Sequence, residues 1–472
     1  FRYVGCNLSD NASVVIEDFA INDNIINATE DGICINHSYF HSYFCYWGYK
    51  MYDNASIVMG NFSFNRNKIK AGSDGIYLYM DEWATYMHNN SAFYLGEFEF
   101  IGNEIEVGGY GLYVWPSYMG WYMYGNATAM IGDWYIVWNN ITSGGSGIDT
   151  GPGVGYSMDD NTSVVMGDFF IMHNNISSRG YYAILYEVYY SGEDVYGNSS
   201  VVIGETHIIN NIVNTSSYAV YFYYYYVAYE MYNNSSLFIG DVYIENNPKL
   251  NSSGSDAIYI YYYEEDVAYY MCNNSSARLP DFIIRNNKIN ASGTGIYMYT
   301  YENPEYVCDN SSIYFGGWLI DNNTINAENG IYLDYEDFCY DNEDNSTTEI
   351  GDIVIINNKI HADDMGIYVY YDDIAYDMND NASLLAGNVT IHNNTVNCSY
   401  GIAVKYDWVS AYEYSNVEMG YLNITENRVK NCTNDGIAVY YDVDASGHSS
   451  ISIERALIDG NIIDNCTNGI HV

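Results

Sequence analysis

The chain has 472 residues and a formal charge of −45, from 15 Lys plus Arg against 60 Asp plus Glu. That balance excludes the basic footprint of a nucleic-acid binder and argues against docking on anionic lipid or gripping a polyanion. Hydrophobic residues at 48% and aromatics at 17% exclude a disordered acidic tail.

Tyr and Asn each occur 57 times. The most apolar tract, Tyr218 to Tyr229, is too short and too rich in Tyr to read as a membrane span, so no membrane insertion is expected. A start at Phe1 without Met reads as a processed mature protein.

In chain order, a Gly or Ala followed by an aliphatic residue recurs at Gly32, Gly75, Gly111, Gly147, Ala183, Ala219 and Ala257. It continues at Gly295, Gly330, Gly366, Gly401, Gly436 and Gly469. Thirteen copies of about 36 residues make one array rather than several domains, so residues 1–472 are expected to form a single domain. The long first interval predicts a loop insertion around residues 37–50; His37 and His41, with Trp47, fall there and are assigned no role.

Within a copy the anchor opens an alternating strand, as in Gly75-Ile-Tyr-Leu-Tyr79. A Tyr-x-Met pattern follows (Tyr156/Met158, Tyr376/Met378), then a sequon, then a segment such as Ser163-Val-Val-Met-Gly167 and another such as Asp168-Phe-Phe-Ile171. Next comes an Asn in one fixed register: Asn24, Asn67, Asn103, Asn139, Asn174, Asn211, Asn247, Asn287, Asn323, Asn358, Asn394, Asn427 and Asn461. Each stands in apolar-x-x-Asn-x-aliphatic text, Pro248 disturbing one copy. This spacing predicts a strand, a one-residue corner and another strand. The Asn is expected to take the left-handed conformation there and to hydrogen-bond the Asn one coil above as a ladder.

Thirteen equivalent corners require a solenoid. The fold expected is all-β: a parallel β-helix of about 13 coils of about 36 residues, right-handed by the general crossover preference. A propeller is disfavoured because Asn-Gly and Asp-Gly hairpin signals are not regularly spaced. The corner followed by Gly-Ile resembles the repeat of right-handed parallel β-helix proteins, among them pectin-lyase-like enzymes and archaeal surface proteins. The long coil and the Tyr and Asn content are similar to the tubular-sheath (hoop) proteins of methanogenic archaea. That resemblance implies a subunit of a cell-enclosing tube.

There are 29 Asn-x-Ser/Thr sequons. One recurs near a fixed register at Asn11, Asn54, Asn89, Asn126, Asn161, Asn198, Asn234, Asn274, Asn310, Asn345 and Asn381, and lapses at Tyr414 and His448. This predicts a secreted protein carrying N-linked glycans at some of these positions. Cys272 and Cys308 lie one coil apart and can pair. Cys432 can pair with Cys398 or Cys466, not both, and an odd count of nine leaves one thiol over. Zinc is not expected, because no Cys-x-x-Cys or matched His cluster occurs.

An acidic column follows the repeat Gly: Asp18, Glu97, Asp133, Asp168, Glu205, Asp241, Asp281 and Asp352. Like charges one coil apart must either splay into solvent or share cations. Bridging Ca²⁺ or Mg²⁺ on Asp133, Asp168, Glu205, Asp241 and Asp281 is the sharper reading, and no other cofactor is expected. A tyrosine column (Tyr77, Tyr113, Tyr221, Tyr259, Tyr297, Tyr332, Tyr368) suits packing against neighbouring subunits, or alternatively sugar rings. Carboxylate pairs such as Asp159-Asp160, Asp363-Asp364 and Asp372-Asp373 are too common to mark a catalytic site, and Arg66, Arg278 and Arg285 have no recurring partner. No enzymatic activity is expected.

The expected function is therefore a structural subunit of an extracellular sheath or surface layer, polymerising with itself head-to-tail and laterally. The head-to-tail contact is read from the phase of the ends: Gly469–Val472 followed by Phe1–Asp10 completes one coil. The alternatives are a carbohydrate-binding adhesin stalk and a pectin-lyase-like polysaccharide-active enzyme.

Overall fold

The computed structural model describes residues 3–4, 6–35, 46–81, 83–264 and 266–472. Every regular element among them is a β-strand. Each copy contributes a strand to each of four parallel sheets, and strands within a sheet follow sequence order. The chain divides into two compact units, Phe1–Thr215 with Phe222–Gly240, and Ser216–Tyr221 with Asp241–Val472. Each is a β-solenoid. One coil of the first unit runs through Ser163–Met166, Phe169–Met172, Asn175–Ser178 and Tyr182–Ser191. One coil of the second runs through Ser383–Ala386, Val389–His392, Thr395–Asn397 and Tyr400–Ala411.

Alternation decides which side chains enter the core. In Ser163–Met166, Val164 and Met166 are buried while their neighbours face outward. Pairing in register then puts like on like. Ile105, Ile141, Ile176 and Val213 form one inward column of the first unit. Ile325, Ile360, Val396, Val429 and Ile463 form one in the second. A slip of one residue would turn such a column to solvent.

Aromatic rings stack inside the coils. Phe98 lies 5.0 Å from Phe62 and 4.0 Å from Trp134, which lies 5.5 Å from Phe169. In the second unit Tyr335, Tyr371, Tyr406 and Tyr441 stack at 5.1, 5.2 and 5.0 Å. The Met of the Tyr-x-Met pattern points inward: Met51 and Met158, with Met87 and Met123 in the same register on the coils between, are bridged coil to coil and fully buried.

The corner before the third strand differs from the sequence expectation. The left-handed residue is the one before the ladder Asn. Asp23, Arg66, Trp138, His173 and Asn210 of the first unit, and Asn246, Asn286, Asn322, Asn357, Asn393 and Glu426 of the second, have φ between 54° and 61°. None of the ladder Asn has a positive φ. The reason is geometric: the turn rotates the following Asn so that its side chain enters the coil, where its amide is used.

A second set of left-handed residues lies on the sequon turn. Asp10-Asn11, Asp53-Asn54, Asn233-Asn234, Asn273-Asn274, Asp309-Asn310, Asp344-Asn345 and Asp380-Asn381 have positive φ at both residues, the signature of a type I′ turn. The turn closes by Ala55 N to Tyr52 O at 3.2 Å and by Ser311 N to Cys308 O at 3.0 Å. Of the expected insertion at 37–50, residues 37–45, including His37 and His41, lie outside the described residues. Trp47 is buried and stacks on Trp83 at 4.1 Å.

Candidate functional site

The Asn column forms a ladder in both units. Asn103 Oδ1 accepts from Asn67 N (2.9 Å) and Nδ2 (3.2 Å), while Asn103 Nδ2 donates to Phe64 O (2.7 Å) and Asn139 Oδ1 (2.9 Å). Asn139 to Asn174 and Asn174 to Asn211 repeat the pattern. In the second unit it runs from Asn247 through Asn287, Asn323, Asn358, Asn394 and Asn427 to Asn461. These amides are almost wholly buried, apart from those at the ends of the column, and each interior one makes all four bonds it can.

The acidic column has a structural role that sequence reasoning missed. Asp133 Oδ1 accepts the Asp168 N–H (2.9 Å), and Asp168 Oδ1 accepts the Glu205 N–H (2.7 Å). Asp241 Oδ1 accepts from Asp281 N (3.2 Å), and Asp281 Oδ1 from Gly317 N (2.7 Å). The preceding Gly permits this approach: a Cβ on Gly167 would lie 2.2 Å from Asp133 Oδ1. Between Asp241 and Asp281 sits the Arg278 guanidinium, 3.1 and 3.0 Å away, in the place a bridging cation would take. Among the described residues the acidic column provides no three ligand atoms within 4.8 Å of one another; the one such group is Cys272, Cys308 and Asp309. Arg66 and Arg285 are likewise paired, with Asp23 (2.7 Å) and Glu245 (2.6 Å).

The sequon residues Asn54, Asn126, Asn161, Asn198, Asn234, Asn274, Asn310, Asn345 and Asn381 are all exposed. In the first unit their side chains form an outer ladder: Asn54 Nδ2 donates to Asn11 Oδ1 (3.0 Å), Asn126 to Asn90 (3.1 Å) and Asn198 to Asn161 (3.1 Å). The register therefore passes through Asn90 rather than Asn89. The middle sequon residue is small and buried, as at Ala127, Thr162 and Ser199. Turn geometry thus requires much of the sequon independently of any sugar.

Cys272 and Cys308 are joined, with Cα atoms 4.7 Å apart. Cys398, Cys432 and Cys466 are thiols stacked on successive coils. The Cys432 thiol is in hydrogen-bond contact with both others, and contact with Cys398 together with burial pushes its pKa up. Cys398 and Cys432 are buried and Cys466 is half-buried.

The outer face of the fourth sheet carries the tyrosine column, half-buried by its own stacking. Tyr77 lies 4.6 Å from Tyr113 in the first unit. Tyr259, Tyr297, Tyr332 and Tyr368 are spaced by 5.0, 5.2 and 5.0 Å in the second. The column is interrupted twice. In the first unit Asp149 and then Leu185 take its place. Asp149 is 5% exposed, its Oδ1 has no hydrogen-bond partner, and burial with the nearby Glu187 raises its pKa well above the carboxylate range. Burial also raises Glu187 to about 7.

In the second unit Ala403 and Ala438 follow Tyr368. A cavity of about 510 Å³ opens there. Repeat reasoning could have found both interruptions, since each is a departure from Tyr in a fixed column.

Compared with protein-family models, with curated proteins and with solved structures, the chain matches none. Among the described residues no helix is long and apolar enough to cross a membrane.

Proposed function

We propose that this chain is a structural subunit of an extracellular sheath or surface layer, associating laterally with copies of itself and bearing N-linked glycans on its sequon turns. The observation that supports this reading best is the uniformity of the outer columns. Outer amides recur at one-coil spacing in the first unit and rings over four successive coils in the second, so a contact one such coil makes is available to its neighbours. Such a surface suits a partner with the same period, and a second copy has it. Aromatic enrichment is what interfaces use. The buried amide ladder and the half-buried carboxylate ladder also commit polar residues to stiffness, which a scaffold needs and a single binding event does not.

Electron microscopy and sedimentation of native material test the reading. Ordered polymers that dissociate when Tyr297 and Tyr332 are replaced by Ser are expected; monodisperse particles at every concentration and salt would sink it. A second reading, a polysaccharide-active enzyme, rests on the buried Asp149 carboxyl and the raised Glu187. It requires reducing ends released from neutral or acidic glycans by the wild type and not by Glu187→Gln.

A further inference from the structure

We propose that the gap over Ala403 is a binding slot for one neutral pyranose ring, a site beyond the sheath reading and independent of it. Tyr368 has one face covered by Tyr332, 5.0 Å away, and the other turned to the next coil, where the column residue is Ala403. One coil further, Tyr440 reaches back over Ala438 and donates to Asp435 Oδ2 (3.2 Å). With Tyr440 above it and His471 paired with it on the next coil, Ala438 is 4% exposed, whereas Ala403 stays half open. The slot is thus walled by Tyr368 and Tyr440 on coils two apart, roughly 9.6 Å at the usual strand spacing of about 4.8 Å. That separation leaves room for one six-membered ring between two aromatic walls.

The polar groups decide which ring. On one edge stand Asp364 and the phenol of Tyr400, a side chain 47% exposed. On the other stands Lys405. Its ammonium is held by Asp407 and lies 4.6 Å over the Tyr370 ring, with one hydrogen left to donate. Asp435 is filled by Asn468 (2.7 Å), Tyr440 and His471, and these partners, Asn468 first, hold its carboxyl below the usual range. It therefore fixes Tyr440 in place rather than offering free lone pairs.

A pyranose has an apolar C–H face, which the negative face of a phenol ring attracts, and hydroxyls around its rim. A carboxylate acceptor and a phenol on one edge and an ammonium donor on the other match a rim of hydroxyls. A phenol ring from another copy has one hydroxyl and would use one edge only. Asp364 and Asp435 in the lining, with the Lys405 charge offset by Asp407, and the net charge of −45 disfavour uronates and phosphosugars. The volume lies within the range of small-molecule sites.

Ala403→Tyr tests the slot directly. It restores the residue that Tyr332 and Tyr368 supply on the two preceding coils, so the fold has a template for it. The probes are methyl glycosides of glucose, galactose, mannose and N-acetylglucosamine, titrated by calorimetry and saturation-transfer NMR. At least one should bind the wild type saturably. Tyr368→Ala should weaken that binding tenfold or more, and Ala403→Tyr should abolish it with an unchanged melting temperature. Undiminished binding by Ala403→Tyr, or no saturable binding of any probe by the wild type, overturns the proposal. Light scattering on Ala403→Tyr adds a further arm: altered self-association without any wild-type sugar binding would assign the slot to a side chain of another copy, and overturn it. If a probe that binds also disperses glycosylated but not glycan-free protein, the ring comes from a neighbour's glycan. If it disperses neither, the ligand is a free saccharide. Both results support the site, and the binding measurements themselves do not depend on whether the chain polymerises.

Discussion

Asn323 shows what one residue does in this fold. Its Oδ1 accepts from Asn287 N (2.9 Å) and Nδ2 (3.1 Å), and its Nδ2 donates to Ile284 O (2.8 Å) and Asn358 Oδ1 (3.1 Å). The side chain is 1% exposed. Asn323→Leu leaves at least two of those groups buried and unpaired, at about 1–3 kcal/mol each. Asn323→Asp keeps the shape but, once ionised, aims an acceptor oxygen in place of the donor Nδ2 at both Ile284 O and Asn358 Oδ1. Urea unfolding should show both variants destabilised by at least about 2 kcal/mol. The Asp variant should recover toward the wild type, measured at the same pH, as the solution is acidified and its carboxyl protonates. Equal losses for the Asp variant at pH 4 and pH 8 would contradict the ladder account. The ladder was legible in the sequence because one residue type that both donates and accepts recurs at the same place in every coil. Its partner, the left-handed residue before it, was legible only in part: Asn stands there in six copies, but Asp23, Arg66, Trp138, His173 and Glu426 share only a backbone conformation.

At the scale of the element, turns carry the strain and strands carry the burial. Glu426 holds φ of 56° between strands Leu422–Thr425 and Arg428–Lys430. A β-branched residue tolerates that region worst and Asn tolerates it well. Glu426→Val should lower the melting temperature, and Glu426→Asn should leave it equal or higher; thermal scans of the pair check the sign. If Val is as well tolerated as Asn, the turn is not strained as described. Strand positions were readable because alternation and burial agree, as in Ser163–Met166. The sequon turn was read only in part. A search for Asn-Gly misses a type I′ turn built from Asp-Asn and Asn-Asn, although those pairs also accept two left-handed residues in a row. The same Asn that suggested glycosylation therefore has a conformational reason to recur. The acidic column was likewise visible as a column but not as a set of backbone acceptors, because its partners are N–H groups that no residue identity reveals.

At the scale of the whole molecule, the carboxyls buried in the tyrosine face set how stability depends on pH. Glu187 is raised by burial from 4.5 to about 7. Asp334 is raised to about 7 by burial and by Glu336. In the unfolded chain both ionise near pH 4, so between about pH 4 and pH 7 the folded protein holds protons that the unfolded chain has released. Stability present below that window is lost as pH rises through it, opposite to the trend for salt-bridged carboxylates. Each group accounts for an effect on the order of 3 kcal/mol across the window. Repulsion among 60 acidic residues acts in the same direction, and salt screens its exposed part while leaving buried groups largely unaffected. The melting temperature should therefore fall from pH 5 to pH 8 in 0.5 M salt. Glu187→Gln with Asp334→Asn, neutral at every pH, should flatten that slope. A double variant with the wild-type slope would show that Glu187 and Asp334 ionise without cost and that other groups set the trend.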